Sequence, residues 1–444
     1  MSSARSMELK RDLAWRRLMW LAIIVCAGWF LAIAYHHVAG AILGRSYPYD
    51  TFLFLPADRY HDLLNSWAQA KGGNPYYTGG TLAVATYFPF VYLTLALGRA
   101  CTAPWVVLAY LALTFGGALW VCSAWLRAQR EAWRDDGRWP AVVIFAALLM
   151  LASYPMLFAV DRGNLDPLIM TLLVGSLALA ARGRFNAGAL LVAVAAASKG
   201  YALVWFVWWL KRRRFSALAL GLAATAALVV LPGLAFDGGI PATLAGFAHG
   251  MAQFHHKYVV GYNSAVYSAD WLNGARLLAR YLGFEPNMET MLAVYRPLAL
   301  IGAGALTLYA LLAASEPWRE LLAAALIMVT FPNIANDYKL VLLLPAILAW
   351  IAAPSENGWR DRVFCLCAGL LLVPKHFAFL HLPGRPSISC LVSPLLLSGL
   401  TATLWPTSEE ARRLIASWDS VRGRALLAAR QAGRVFAPSP RKKP

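Results

Sequence analysis

The chain has 444 residues, 60% of them hydrophobic and only 14% charged, with a net charge of +18. Soluble globular chains are about 25% charged, so this one cannot cover a water-facing surface and a soluble domain is excluded. Its basic residues gather at the ends of apolar runs, at Arg16 and Arg17, Lys211 to Arg214 and Arg441 to Lys443. That placement fits anionic membrane lipids as partners and excludes nucleic acid.

The apolar runs are continuous rather than alternating, so they read as helices and not as barrel strands. About 20 apolar residues span the hydrocarbon core, where the backbone must satisfy its own hydrogen bonds. Residues 1–17 form a basic N-terminal segment. The run that follows is too long for a signal-peptide core, and no small-residue cleavage site closes it, so it is the first span. Spans are expected at 18–40, 81–98, 104–126, 140–160, 167–181, 187–210, 216–234, 292–314, 319–335, 339–353, 361–380 and 388–405. The expected fold is an all-α polytopic membrane protein with about twelve transmembrane helices in one domain, residues 18–405.

Twelve spans put both termini on one side of the cell membrane, and their Arg and Lys residues make that side cytoplasmic. Two long loops then lie outside, about 43–80 and 235–291, rich in aromatic residues, His, Asn and Asp. By the same count Arg127–Arg138 lies outside despite its four arginines, and Asp161–Asp166 lies inside. A re-entrant segment between 80 and 126 would reverse both placements. In the tail, 406–444, Leu414, Ile415, Trp418, Leu426 and Leu427 stand among arginines, as in an amphipathic helix on the inner leaflet. The six cysteines show no zinc-ligand or redox spacing, and adjacent His255 and His256 lack an acidic or Cys partner, so no metal site is expected.

The chemistry-bearing residues follow in chain order. The first long loop carries Asp50, Asp58 and Asp62 among aromatics. Asp58 and Asp62 are four apart and share one face of any helix that holds them both. They suit general-base work, or serve as solvated loop acids or caps. Next, Asp161-Arg162-Gly163-Asn164-Leu165-Asp166-Pro167 reads as a tight break, with Asn164 or Asp166 capping the next helix, or as a functional site. Lys199 stands near the middle of 187–210, where a lysine is costly unless it is paired or faces a wet cavity. Gly200 allows a bend there, and a cation on a cavity wall suits an anionic substrate such as a lipid phosphate. Pro332 to Lys339, Lys375-His376 and His255-His256-Lys257 fall on the outer side, where their cations suit a phosphate head group.

Taken in order, Gly72-Gly73-Asn74-Pro75-Tyr76, Tyr87-Phe88-Pro89, Arg162-Gly163-Asn164, Gly188, Lys199-Gly200-Tyr201, Lys211–Arg214 and Pro332–Lys339 resemble the GT-C fold membrane glycosyltransferases. The resemblance is to glycosyltransferase family 87, which includes polyprenyl-phosphate-mannose-dependent mannosyltransferases, and runs from the first span to about Trp350. It implies an inverting transfer of a hexose, mannose foremost, from a polyprenyl-phosphate donor to a lipid or glycan acceptor on the outer face. It also implies an aspartate base in the first outer loop, which falls on Asp62 or, one turn away, Asp58. With that chemistry, the expected donor-phosphate contacts are Arg59, Arg162, Asn164, Lys199, Lys339, Lys375 and His376. The donor brings its own leaving group, so no cofactor or metal is required. Two departures stand out. Arg162-Gly163-Asn164 matches the family's Gly-Gln-Val-Asn-like turn only loosely, and Ala202 stands where proline is common. The rival readings are a secondary transporter built on broken helices around Lys199 and a polysaccharide polymerase or ligase, which would lean on outer-loop arginines such as Arg276 and Arg280.

Overall fold

The computed structural model describes residues 3–43, 59–78, 81–82, 84–133, 136–261, 268–354, 358–375 and 391–416. Asp50, Asp58, His376 and the tail beyond 416 lie outside the described residues, and the expected tail helix is described only over 408–416.

The molecule is helical. Its first helix, α1 (Ser3–Leu43), is followed by α2 (His61–Ala70), a two-residue hairpin of β1 (Tyr77–Thr78) and β2 (Thr81–Leu82), and α3 (Pro89–Ala96). Then come α4 (Ala103–Trp133), α5 (Trp139–Ala152), α6 (Tyr154–Arg162), α7 (Asp166–Ala181) and α8 (Phe185–Ser198). Next are α9 (Val207–Lys211), α10 (Phe215–Val230), α11 (Gly239–Phe254) and α12 (Trp271–Tyr281). The last five are α13 (Met288–Leu312), α14 (Pro317–Thr330), α15 (Leu344–Ile351), α16 (Trp359–Leu371) and α17 (Val392–Thr403).

Among the described residues five helices are long and apolar enough to cross a membrane: Glu8–Tyr35, Ala103–Glu131, Trp139–Arg162, Phe215–Ala235 and Met288–Leu312. The chain is a helical membrane protein, but the expected count of twelve such spans is not reached. Several of the apolar runs are divided into shorter pieces. The run 81–98 holds only the end of the hairpin and α3, whose eight residues rise roughly 12 Å, far less than a bilayer core. The run 187–210 is two limbs. Helix α8 ends where Lys199 turns extended (φ −147, ψ 116), and a 3-10 turn, Gly200–Phe206, leads back into α9. Trp209 Nε1 donates to the Phe185 carbonyl at 3.2 Å, which sets the far ends of the two limbs level.

Small residues let the helices approach. A Cβ on Gly188 of α8 would lie 2.7 Å from the Ser176 carbonyl oxygen of α7. Ala189, Ala193, Ala196 and Ala197 on α8 are fully buried or nearly so. Close backbone contact of this kind takes the place of the hydrophobic drive that lipid cannot supply. Further along, Trp318 of α14 and Trp350 of α15 both pack on Phe364 of α16, with ring centroids 5.3 and 4.5 Å away.

The polar residues divide between two ends. At one, Arg11 pairs with Asp136 at 2.8 Å and Arg138 with Asp12 at 2.9 Å. Buried Arg17 donates to the carbonyls of Trp350 and Ala353 and to Asp361. Asp136 and Arg138 thus meet the basic N-terminal segment, the arrangement that a re-entrant stretch between 80 and 126 gives. At the other end, Asp62 of the first long loop bonds Arg162 and Asn164. The 161–166 turn therefore shares a face with that loop, instead of lying across the membrane from it. Both contacts fit the re-entrant alternative for 80–126, with α3 only eight residues long. The second long loop meets the first at this end, where Asn74 Nδ2 donates to the Asp237 carbonyl at 2.9 Å.

Candidate active site

Local chain geometry brings Asp62 to the 161–166 turn. Tyr60 adopts a left-handed conformation (φ 56) just before α2, and its N–H donates to the Asp161 carbonyl at 2.6 Å. Helix α2 then starts at His61, and Asp58 lies outside the described residues. Asp62 sits in its first turn, where the helix dipole favours a carboxylate. Helix α6 ends at Gly163 (φ 67), the left-handed position that glycine fills without strain. A Cβ there would lie 2.7 Å from Leu63 Cβ, so glycine also lets α2 lie against the turn.

A chain of polar contacts runs inward from Asp62. Arg162 Nη2 donates to Asp62 Oδ1 at 3.1 Å, and Asn164 Nδ2 donates to Asp62 Oδ2 at 3.0 Å. Asn164 Oδ1 accepts from the Asp166 N–H at 3.2 Å and from Lys199 Nζ at 2.6 Å. Lys199 Nζ also lies 3.0 Å from Asp166 Oδ1, which accepts in addition from the Tyr201 hydroxyl. The rings of Tyr87 and Tyr338 stand 5.7 and 5.5 Å from the ammonium. The acids and cations balance, which is how a lysine is tolerated at depth. Asp62 and Arg162 keep 24% and 23% of their side chains exposed, whereas Asp166 is fully buried. Burial, and after it the nearby Asp62, push the Tyr338 hydroxyl well above its ordinary range, so that ring stays neutral.

The other expected contacts are placed differently. Lys375 is buried, pairs with Asp337 at 3.4 Å and donates to the Leu371 and Val373 carbonyls. Asp337 also accepts from the Ser393 hydroxyl. Lys339 is 9% exposed, donates to the Ile334 carbonyl and lies 5.0 Å from the Tyr201 ring. Both lysines are held by protein groups. Arg59 is exposed, two residues before α2. Asp58 and His376 lie outside the described residues. Arg276, one of the arginines on which a polymerase reading leaned, is 5% exposed and donates to the Val259 and Val260 carbonyls. Two apolar clefts lie elsewhere, one beside Trp208, Lys211 and Glu320, the other beside Trp271, Gly274 and Pro394. Among the described residues no three His, Cys, Asp or Glu side chains are placed to hold a metal ion.

Sequence reading named Asp62, Arg162, Asn164 and Lys199 but missed their joining, and it missed Asp166, Tyr87, Tyr201 and Tyr338 as neighbours of Lys199. One signal was available: a lysine at depth needs an acid, and Asp166 lies at the mouth of the adjacent helix.

The fold is that of a helical membrane protein, with the Asp62 carboxylate a quarter open beside its partners. The family model of glycosyltransferase family 87 matches residues 85–345. The chain belongs to that family and is a glycosyltransferase. The matched stretch contains Arg162, Asn164, Asp166, Lys199 and Lys339, while Asp62 precedes it and joins them only through space. A comparison with curated proteins found no match.

Proposed function

We propose that this glycosyltransferase moves a hexose, mannose foremost, from a polyprenyl-phosphate donor to a lipid or glycan acceptor at the outer face of the cell membrane. Asp62 serves as the base. The observation that carries this reading is the Asp62 carboxylate, a quarter exposed and oriented from two sides by Arg162 and Asn164.

Asp62 accepts the proton of the acceptor hydroxyl as that oxygen attacks the anomeric carbon. The bond from that carbon to the phosphate oxygen breaks on the opposite side, which inverts the configuration. The electron pair of that bond stays on the oxygen, so the polyprenyl phosphate leaves as a monoester with one more negative charge than the diester donor carried. Arg162, paired with the base, and exposed Arg59, two residues before α2, are the cations that meet this charge. The orientation follows from the opposite end, whose arginines belong in the cytoplasm with both termini. Residues 18–405 then form the membrane domain, flanked by cytoplasmic segments 1–17 and 406–444.

The test is transfer by the purified protein in nanodiscs, given radiolabelled polyprenyl-phosphate mannose and a mixed lipid and glycan extract. Label in a new product with wild type, and none with Asp62→Asn, is the expected result. No transfer from mannose, glucose or arabinose donors would overturn the proposal.

A further inference from the structure

We infer that Lys199 is a positioning residue, which holds the base in place through the amide of Asn164 and does not itself bind the donor. The inference rests on the reading of Asp62 as the base.

The Asn164 amide has two ends with opposite hydrogen-bonding character. Its oxygen faces two donors, the Lys199 ammonium at 2.6 Å and the Asp166 N–H at 3.2 Å. Its nitrogen faces an acceptor, Asp62 Oδ2 at 3.0 Å. A reversed amide would set its NH2 against an ammonium and its oxygen against a carboxylate. Only one orientation is therefore allowed, and Lys199 enforces it. An ammonium on the amide oxygen also polarises the amide, which strengthens its N–H donor toward Asp62.

Lys199 is itself fixed. Asp166 Oδ1 takes one of its N–H bonds and also accepts from Tyr201. The rings of Tyr87 and Tyr338 flank the ammonium. Its positive charge is met by a fully buried aspartate, and its side chain is 14% exposed against 23% for Arg162. The break between α8 and the 3-10 turn places Lys199 at the apex of its two limbs, so the backbone as well as the side chain sets this position. Two of the three N–H donors of Lys199 are thus held by Asn164 and by its buried counter-ion Asp166, and the side chain is less open than that of Arg162.

The charged and titratable side chains that face Asp62 are Arg162 at the end of α6, Tyr87 before α3, Tyr338 after α14 and, further off, Tyr110 of α4. Loosening the Asn164 amide frees the Asp62 carboxylate to turn from its set position, which lowers kcat and leaves donor binding alone.

The experiment compares wild type, Asn164→Ala, Lys199→Met and the double variant Lys199→Met/Asp166→Asn. The double variant removes both partners of the buried pair and leaves no unpaired charge. Transfer is followed as kcat and donor KM, with Asp62→Asn as reference. The expected result is kcat about tenfold lower in Asn164→Ala and in the double variant, with donor KM within about twofold. A donor KM raised about tenfold with kcat unchanged would make Lys199 a donor contact and overturn the inference. An unchanged kcat in Asn164→Ala would overturn it even if the lysine variants fail to fold. Full activity of Asp62→Asn would instead overturn the reading of the base, so the two failures are distinguishable.

Discussion

Arg162 and Asp62 stand 100 residues apart in the chain and 3.1 Å apart in space. Their contact joins the end of α6 to the first turn of α2 and leaves about a quarter of each side chain open. If Asp62 is the base, Asp62→Asn removes proton acceptance while keeping the shape. Transfer should fall by at least about 100-fold, the scale of a lost general base. The thermal unfolding midpoint should move little, because a pair that water still reaches adds little stability. Asp58→Asn serves as control. A dead Asp58 variant beside an active Asp62 variant would move the base to Asp58.

Gly163 lets α2 and the 161–166 turn meet. Its φ of 67 costs an alanine about 1–2 kcal/mol, and the new Cβ would lie 2.7 Å from Leu63 Cβ and 3.1 Å from Tyr60 Cα. Neither neighbour is a flexible side-chain end, so α2 must shift and carry Asp62 with it. Gly163→Ala should lower both the melting temperature and kcat, the latter about tenfold or more, as expected when catalytic groups are displaced by a fraction of an ångström. Gly283 gives the comparison. Its φ is 85, yet a Cβ there meets nothing within 4 Å. Gly283→Ala should cost a little stability and no activity. Equal losses of activity in both variants would refute the steric account.

Asp270 fastens the second long loop to the 332–338 segment. It accepts from Ser268, from the backbone and side chain of Asn273, and from the Ala335 N–H. Burial pushes its carboxyl above the ordinary range, and these hydrogen bonds pull it only partly back. The native state therefore holds the proton more tightly than the unfolded chain, whose aspartates titrate near about 3.9. This contribution to stability is full below that value and is lost as pH rises through the raised native one. Asp270→Asn should be less stable throughout, since its NH2 must face N–H donors, and its amide does not titrate. Melting curves in detergent from about pH 4 to neutrality should show the gap between wild type and variant narrowing as pH rises. A gap that widens would contradict the assignment.

The class of fold was legible because apolar runs and basic run-ends are local features. The family was legible from short motifs such as Lys199-Gly200-Tyr201 and Arg162-Gly163-Asn164. What stayed hidden was which runs cross and what the polar residues touch. The run 81–98 has the composition of a span, but Gly79 and Gly80 precede it and Pro89 starts a new helix within it, leaving α3 only eight residues. In 187–210 the lone sign of the break was Gly200, next to the lysine it exposes. The four arginines of 127–138 already conflicted with an outer placement, and Arg138 meeting Asp12 resolves the conflict. The Asp62 partners were beyond sequence reading, because they meet only after α6 and α2 have packed.

Two polar ends imply two sides of a membrane, and cysteine labelling can tell them apart. Gly137 stands next to Arg138, which pairs with Asp12 and Asp136, and a Cβ on it meets nothing within 4 Å. Gly72 stands on the Asp62 end, where a Cβ meets only the Gln69 and Asn74 carbonyls at 3.6 Å or more. Each can become cysteine, singly, in a background whose six native cysteines are replaced. If the basic end is cytoplasmic, an impermeant maleimide should label Gly72→Cys on intact cells and Gly137→Cys only after lysis. Labelling of both on intact cells would mean that the chain does not separate these ends across the bilayer. The reverse pattern would keep the fold but place Asp62 on the cytoplasmic side. Transfer at the outer face would then be ruled out, and the donor would have to be met at the inner leaflet.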